Sequence, residues 1–339
     1  MNILITGGCG FLGVRLARAL LAQGYLALAG AAPQPITQLV LADRFAPPSD
    51  LATDPRVTHL GGDLHNLLAD PLLLSDTALV FHLAAAVSGE CEADLDLGLR
   101  SNLDATLGLL QACRARGTAP VFVFSSSVAV FGSTPEQPLP GTIEDHTLPT
   151  PQNSYGIQKF IGEQLVADFS RRGLVQGRNV RLMTVAVRPG LPNAAASSFL
   201  SGMLREPLAG QRARVPVAAD TPVALSSPTR TVQGLLCAAQ TSTTEWGART
   251  AMNLPALTTT VGAMAQALED LAGPAATALL DWEPDARIAA IVTAWPSRIH
   301  SARAQALGLQ ADADFHTILR DYVRENPQAI TLPLLEKSP

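Results

Sequence analysis

The chain has 339 residues, a hydrophobic fraction of 47% and a formal net charge of -5 at pH 7. Its length allows a large core and a second domain, and it lacks the basic stripe with interleaved aromatic residues that nucleic-acid binding requires. No uninterrupted apolar run approaches the ~20 residues of a membrane helix. The four cysteines have neither metal-ligand spacing nor a disulfide-like framework, so we expect no metal site, no membrane partner and a cytoplasmic location.

The first predicted elements are a strand, a glycine-rich turn and a helix. An apolar run over 2–6 precedes the turn, and apolar residues recur at helical spacing over 14–23. Glycines let backbone amides approach a pyrophosphate, and a helix N-terminus offers unpaired N–H groups and a positive dipole end. The residues predicted to bind a dinucleotide at this turn are Gly7, Gly10, Phe11, Leu12 and Gly13.

An acidic residue at the end of the second strand sets the expected cofactor. Asp43 ends the apolar strand 39–42 and is the first Asp or Glu of the chain, so it is the candidate partner of the adenosine ribose hydroxyls. It lies farther from the glycine turn than the usual ~20 residues, which predicts an insertion through 31–35. A carboxylate repels a 2′-phosphate and favours NAD, although the adjacent Arg44 could support NADP.

Strands and helices continue to alternate as far as Gly190. Further strands are predicted at 57–60, 78–83, 121–124 and 180–187, with a helix over 102–116. The alternation predicts an α/β fold with a Rossmann-type doubly wound parallel sheet, whose ligands lie at the carboxyl ends of the strands. Further residues predicted at the dinucleotide site are Asp63, Leu64, Ala84 and Asn102. Asn102 is expected either to bind a water molecule that relays protons or to fix the backbone near Lys159.

Beyond Gly190 the pattern changes to loops and shorter helices interrupted by prolines. We therefore predict a dinucleotide-binding domain over 1–190 and a smaller substrate-binding cap over 191–228 and 251–339. A helix near 229–240 is expected to pack back onto the first domain.

Tyr155 and Lys159 lie one turn apart on a helix predicted over 154–171, so their side chains share a helix face. A free tyrosine has a pKa near ~10, and the ammonium group together with the positive nicotinamide ring would favour the phenolate. We predict that Tyr155 is the general base for a substrate hydroxyl whose carbon gives a hydride to the cofactor. Ser127, just beyond the strand 121–124, is predicted to orient the same oxygen.

These segments together resemble the extended short-chain dehydrogenase/reductase family. The resemblance implies a Rossmann fold, a nicotinamide dinucleotide, a catalytic set of Ser127, Tyr155 and Lys159, and a homodimer. Val128 and Ala129 stand where nucleotide-sugar dehydratases carry an Asp-Glu pair, so dehydration is not expected. The resemblance rests on 7–13, Asp63-Leu64, 82–85, Asn102, 125–132, Tyr155 with Lys159, and 188–190, and the helices expected to form the dimer carry 103–110 and 157–166.

Within that family, the chain looks most like members that oxidise the C2 hydroxyl of a four-carbon sugar acid, D-erythronate. That likeness rests on 87–90, 126–132, 188–199, 205–210 and 227–228. It implies a small acid substrate, for which Ser88, Asn193 and Ser197 offer compact donors, although such residues are otherwise turn formers. Glu90 would repel an acid unless it faces a hydroxyl. The candidates for the substrate carboxylate are Arg188, Arg205 and Arg230, which the sequence does not distinguish.

Two other functions share parts of this pattern. A nucleotide-sugar epimerase would keep the glycine turn and the Ser-Tyr-Lys set, but would retain its NAD and show no net redox change. A non-catalytic NAD-sensing protein would tolerate loss of the set, so the intact Ser127, Tyr155 and Lys159 argue against it.

Overall fold

Seven parallel strands form the central sheet of the computed structural model, which describes residues 1–192 and 194–335. The strands in chain order are β1 (Asn2–Thr6), β2 (Tyr25–Leu26), β3 (Gln34–Pro35), β4 (Gln38–Asp43), β5 (Val57–Gly61), β6 (Thr77–His82), β7 (Val121–Ser127), β8 (Gln176–Leu182), β9 (Thr184–Val185), β10 (Ala213–Val215), β11 (Pro222–Ser226), β12 (Met252–Asn253), β13 (Leu257–Thr260) and β14 (Leu280–Trp282). The α-helices are α1 (Phe11–Gln23), α2 (Ser49–Ala52), α3 (Leu64–Leu67), α4 (Ser88–Ala93), α5 (Leu95–Gly98), α6 (Ala105–Arg116), α7 (Ser154–Arg171), α8 (Phe199–Leu208), α9 (Pro228–Gln240), α10 (Thr243–Trp246), α11 (Val261–Ala272), α12 (Pro274–Thr277), α13 (Ala286–Thr293), α14 (Ala302–Ala306) and α15 (Phe315–Glu325).

The central sheet has the order β5-β4-β1-β6-β7-β8-β12, and each neighbouring pair is parallel. The chain winds outward on one side of β1 and then returns to wind outward on the other side. This reversal places a crevice between the carboxyl ends of β1 and β6, where doubly wound sheets bind their ligands. The predicted Rossmann-type fold is confirmed.

Hydrophobic side chains cover both faces of the sheet because successive strand residues point to opposite sides. In β1, Ile3 and Ile5 belong to a core that contains Leu16 and Leu20 of α1. Leu4 belongs to the opposite core, which includes residues of α6 and α7. The helix α1 ends at Gly24, whose left-handed backbone lets its N–H bond the Leu20 carbonyl.

Several elements differ from their predicted bounds. The strand β7 continues through Ser127, because Ser125–Ser127 pair with the residues Val180–Leu182 of β8. The strand β8 starts at Gln176 and ends at Leu182, earlier than predicted at both ends. A π-helical turn over Leu99–Asp104 precedes α6, so Asn102 lies before the α-helix and not inside it.

The spacing between the glycine turn and Asp43 has a structural explanation. The two short strands β2 and β3 pair antiparallel and form a hairpin between α1 and β4. This hairpin contains the expected insertion.

A second core lies outside the central sheet and contains residues of α8, α11 and α15. Around it lie a three-stranded sheet, β13-β11-β9, and the pair β10-β14, so this region has more strand structure than the sequence indicated. The helix α9 packs on the first core through Val232 and Leu235. The strand β12 joins β8 in the central sheet, and Ala304 of α14 also packs on the first core. The chain therefore crosses between the two regions more often than the predicted boundary at 251 implies.

Among residues 1–192 and 194–335, no helix is both long and apolar enough to cross a bilayer.

Candidate active site

A cleft of about 580 Å³ runs along the carboxyl ends of the central strands. Its volume falls in the usual range of small-molecule sites. It brings together most of the residues that the sequence singled out. Those that line it are Gly7, Gly10, Phe11, Leu12, Gly13, Asp43, Asp63, Leu64, Ala84, Ser88, Ser127, Tyr155, Lys159 and Ser197.

Two predicted site residues are not in that set. Asn102 is 2% exposed and does not line the cleft. Asn193 lies outside the described residues.

The glycine turn forms a tight cradle at the start of α1. A Cβ at Gly13 would lie 2.2 Å from the Gly7 carbonyl oxygen, so only glycine lets the helix approach the turn this closely. No side chain caps the N-terminus of α1, which leaves the amides of its first turn facing the cleft. Such amides, with the positive end of the helix dipole, bind phosphate groups. The cradle therefore fits the pyrophosphate of a dinucleotide.

Asp43 is fixed beside this cradle by two backbone amides. Its Oδ2 accepts a hydrogen bond from the Cys9 N–H at 2.9 Å, and its Oδ1 accepts one from the Phe45 N–H at 3.0 Å. Burial and the Asp43 charge raise the pKa of the Cys9 thiol to about 11. Each carboxylate oxygen has a further lone pair, so Asp43 can still accept a bond from a ribose hydroxyl. The exposed Arg44 lines the same end of the cleft.

Tyr155 and Lys159 project from the first turns of α7, which is held against the end of β7. The helix is capped by Asn153, whose Oδ1 accepts from the Gly156 N–H at 2.8 Å. A Cβ at Gly156 would lie 2.1 Å from the Ala129 carbonyl oxygen, so glycine permits this close contact. The Lys159 Nζ donates to the Ser125 carbonyl at 2.8 Å and lies 5.7 Å from the centroid of the Tyr155 ring. These contacts place the phenol and the ammonium on one side of the helix, as predicted from their spacing.

Ser127 completes the group. Its hydroxyl lies close enough to the Tyr155 phenol to oppose the rise of the phenol pKa, and its Oγ accepts from the Ala129 N–H at 3.1 Å. The serine is thus anchored by the backbone beside the Tyr155 phenol.

Burial disfavours charge on both Tyr155 and Lys159. It raises the pKa of the phenol to about 12, against the opposing effect of the Ser127 hydrogen bond. It lowers the pKa of the Lys159 ammonium to about 8. The side chains alone therefore keep the phenol protonated at neutral pH, and the positive charge of a nicotinamide ring is needed to favour the phenolate.

Asn102 supports the site from behind the cleft wall. Its Oδ1 accepts from the Ala86 N–H at 2.8 Å, and its Nδ2 donates to the Ala86 carbonyl at 3.2 Å and to the Gln158 Oε1 at 2.8 Å. Gln158 immediately precedes Lys159. Asn102 therefore joins the segment after β6 to α7.

A neutral histidine joins the same elements. His82 lies fully buried, and desolvation with the nearby Lys159 charge lowers its pKa to about 3. Its Nδ1 lies 2.7 Å from the Thr6 Oγ1, and its Nε2 lies 2.9 Å from the Thr106 Oγ1. Because the Thr106 hydroxyl donates to the Asn102 carbonyl, it can accept from the Nε2–H. The ring therefore connects β1, β6 and α6 without carrying charge.

A buried ion pair was not anticipated from the sequence. Arg181 of β8 donates from Nε and from one Nη to the two carboxylate oxygens of Glu163, each at 2.8 Å. Ser126 Oγ donates to the same carboxylate at 2.5 Å. Glu163 follows Lys159 by one helical turn, and this spacing could have indicated that its carboxylate lies near the site. Its partner, Arg181, could not be predicted because the strand that carries it, β8, begins with polar residues.

Several known proteins are similar to this chain over most of its length. The model of the NAD dependent epimerase/dehydratase family matches residues 3–222. A D-erythronate dehydrogenase from Cupriavidus necator is 48% identical, over 96% of this chain and 98% of that protein, and one from Haemophilus influenzae is 40% identical, over 95% and 99%. The crystal structure of a nucleoside-diphosphate-sugar epimerase from Agrobacterium tumefaciens is 38% identical, with a TM-score of 0.87 over 97% of this chain and 95% of that one.

The chain therefore belongs to the NAD dependent epimerase/dehydratase family. Within that family it is an NAD-dependent oxidoreductase that acts on a small molecule, and NAD is its cofactor.

Proposed function

We propose that the protein oxidises the C2 hydroxyl of D-erythronate to 2-dehydro-D-erythronate, with NAD+ as the oxidant. The observation that carries the proposal is the grouping of Ser127, Tyr155 and Lys159 in one cleft with the glycine turn. The substrate is inferred from the two D-erythronate dehydrogenases, which the chain matches along nearly their whole length.

In this proposal the Tyr155 phenolate removes the proton of the C2 hydroxyl, and the C2–O bond becomes a carbonyl as the C2–H bond breaks. When bound, NAD+ accepts the hydride and is reduced to NADH. The Ser127 hydroxyl orients the reacting oxygen, since it lines the same cleft beside the Tyr155 phenol. Lys159 stabilises the phenolate through its charge, at 5.7 Å from the ring centroid.

The cradle residues would hold the cofactor. We assign the pyrophosphate to the amides at Gly10, Phe11 and Leu12, and the adenosine ribose to Asp43, beside Asp63 and Leu64. The short side chain of Ala84 leaves space above the end of β6.

Small hydroxyl donors would contact the substrate. Ser88 and Ser197 line the cleft, and the Ser88 Oγ already accepts from the Ala196 N–H at 3.2 Å, which fixes it beside the segment from the cap. Asn193 is proposed as a third contact on the sequence pattern alone. Glu90 is committed elsewhere, since its Oε2 accepts from the Val87 N–H at 2.8 Å and caps α4.

A nucleotide-sugar epimerase is the second candidate. It is supported by the 38% identity with the A. tumefaciens epimerase. A second cavity of about 720 Å³ adjoins the cleft at Ser88 and Ala195 and would give a larger substrate room.

Spectrophotometry separates the two candidates. The purified protein is given NAD+ with D-erythronate, L-threonate, D-threonate, other aldonic acids and a set of UDP-hexoses. We expect NADH from D-erythronate. Interconversion of a UDP-hexose without NADH, and no NADH from any acid, would move the protein to the epimerases.

We also propose a homodimer in the cytoplasm. Ile157 and Ile161 lie one turn apart on α7 and are 45% and 37% exposed, which suits an apolar contact between two copies. All four cysteines are free thiols, as expected in a reducing compartment. Sedimentation equilibrium should give twice the chain mass, and Ile161→Lys should shift the protein to monomer; a monomeric wild type would contradict the dimer.

A further inference from the structure

Three arginines could meet a substrate carboxylate, and their surroundings differ. Arg205 is buried, with one Nη donating to Glu206 at 2.5 Å and the other to the Arg188 carbonyl at 2.9 Å. Arg230 pairs with the exposed Gln233 side chain and does not line the cleft. Arg188 does line the cleft, together with Tyr155.

The backbone of Arg188 is anchored on both sides, whereas its side chain is not. Its N–H donates to the Ser201 Oγ at 3.0 Å, and its carbonyl accepts from Arg205. Over residues 1–192 and 194–335, no hydrogen bond or ion pair of its guanidinium is found. Within the described part of the chain, this half-buried cation therefore has no anionic partner, although its backbone is anchored.

The charged groups around Arg188 also leave its guanidinium without a counter-ion among the described residues. Burial and the neighbouring Arg205 both lower its pKa, although an arginine side chain stays protonated in proteins. Glu206 is already paired with Arg205. Among the acidic residues that line the same cleft, Glu90 caps α4, and Asp43 and Asp63 accept bonds from backbone amides. A desolvated cation without a partner is unfavourable, so the site favours a ligand that supplies a negative charge.

We propose that Arg188 binds the carboxylate of the substrate and so selects an acid over a neutral polyol. The inference rests on the proposed oxidation of a small sugar acid. A planar guanidinium can hold a carboxylate through two parallel hydrogen bonds, which fixes both the position and the rotation of the group. Because C2 is bonded directly to that carboxylate, such a clamp also orients the C2 hydroxyl in the cleft that holds Tyr155.

Arg188 is in this view a specificity-determining residue. The segment that carries it links β9 to the cap, and the Ser201 that holds its backbone belongs to α8. A helix of the cap thus holds in place the residue that recognises the acid, whereas α7 and the end of β7 supply the groups that oxidise it.

The test compares an acid with its uncharged analogue. Arg188→Met keeps a similar volume without charge, Arg188→Lys keeps the charge without the planar fork, and Arg230→Met is the matched control outside the cleft. Each variant is assayed with D-erythronate and with D-erythronamide, in which a carboxamide replaces the carboxylate. Thermal unfolding checks that each variant is folded, and fluorescence titration gives its NADH affinity.

We expect Arg188→Met to lower kcat/KM for D-erythronate by on the order of 10²-fold and to change kcat/KM for the amide much less. Arg188→Lys should have a kcat/KM for D-erythronate between those of wild type and Arg188→Met, since it keeps the charge but loses the bidentate geometry. If Arg188→Met does not fold, the lysine variant tests the assignment in its place. NADH affinity should stay within about twofold, and Arg230→Met should resemble wild type. Equal losses for acid and amide would overturn the assignment. Weakened NADH binding would overturn it too, because the bound anion would then be a cofactor phosphate.

Failure of the proposed function would be distinguishable. If wild type oxidises no acid, the proposed oxidation is wrong, and calorimetric titration of the enzyme–NADH complex with D-erythronate then decides the carboxylate site. Binding by wild type that is lost in Arg188→Met would support it. No binding by wild type would overturn it.

Discussion

Glu163 of α7 and Arg181 of β8 form a doubly hydrogen-bonded ion pair, with side chains that are 2% and 5% exposed. Ser126 donates to the same carboxylate, and the neighbouring Ser125 carbonyl accepts from Lys159. The pair therefore holds α7 against β7 and β8 close to Lys159.

Removal of one partner should be strongly destabilising. Glu163→Gln leaves the Arg181 charge buried without its counter-ion, so we expect the free energy of unfolding to fall by about 3–5 kcal/mol. Denaturant unfolding measures it. The control is Asp168→Asn, which breaks an exposed pair with Arg171 and should cost about 0–1 kcal/mol. Similar small losses in both variants would show that the buried pair does not fix the helix.

Replacement of the predicted general base should separate chemistry from binding. Tyr155→Phe removes the proton acceptor but keeps the ring, so we expect kcat to fall by about 10³-fold while NADH affinity is retained. Steady-state kinetics and fluorescence titration provide the two values. The matched control is Tyr25→Phe, because Tyr25 is exposed and does not line the cleft. A near-normal rate in Tyr155→Phe would exclude the phenol as the base.

Lys159→Met should inactivate the enzyme and yet stabilise it at neutral pH. Burial lowers the pKa of Lys159 from 10.5 to about 8, so the charged form destabilises the folded protein by about 3 kcal/mol. The substitution removes this cost but also removes the hydrogen bond to the Ser125 carbonyl, which makes the net gain smaller. We expect a net gain of roughly 1–3 kcal/mol at pH 7.

The pH dependence of that gain follows from the same shift. Between about pH 8 and 10.5 the unfolded chain holds the proton of Lys159 more tightly than the folded one, so wild-type stability from this group rises with pH. The advantage of Lys159→Met should shrink over that window. Unfolding at pH 7 and pH 10 tests this, and an advantage that is negative at pH 7 would contradict it.

Asp43 should determine the choice of dinucleotide. Asp43→Ala removes the expected acceptor for the ribose hydroxyls and the charge that repels a 2′-phosphate. We expect NAD to bind about tenfold more weakly and NADP to bind as well as before or better. Titration with both reduced cofactors checks this, with Asp50→Ala at an exposed pair with Arg18 as control. An unchanged preference would exclude Asp43 as the ribose partner.

The first half of the fold could be predicted because its signals are local. The glycine turn, the apolar strands and the helix with Tyr155 each carry their own pattern, and the observed α7 has the predicted bounds. The start of β8 was missed because Arg178 and Asn179 are polar, although both are buried. Arg178 is accommodated there by the Thr241 carbonyl, the Thr243 hydroxyl and the face of Trp246, all distant in sequence.

The second region was harder to predict for a different reason. Its strands are only two to five residues long, which is too short for an alternating pattern to stand out. The sequence could not predict which of Arg188, Arg205 and Arg230 is available to a substrate carboxylate. That depends on which guanidinium groups are already paired with other side chains in the folded protein.

The most direct test follows the hydrogen on C2. The protein is incubated with NAD+ and D-erythronate deuterated at C2, and the products are analysed by NMR spectroscopy. Oxidation at C2 by hydride transfer predicts deuterium at C4 of the reduced nicotinamide and a 2-keto acid in equal amount. NADH without deuterium would show that another carbon is oxidised and would contradict the proposed reaction.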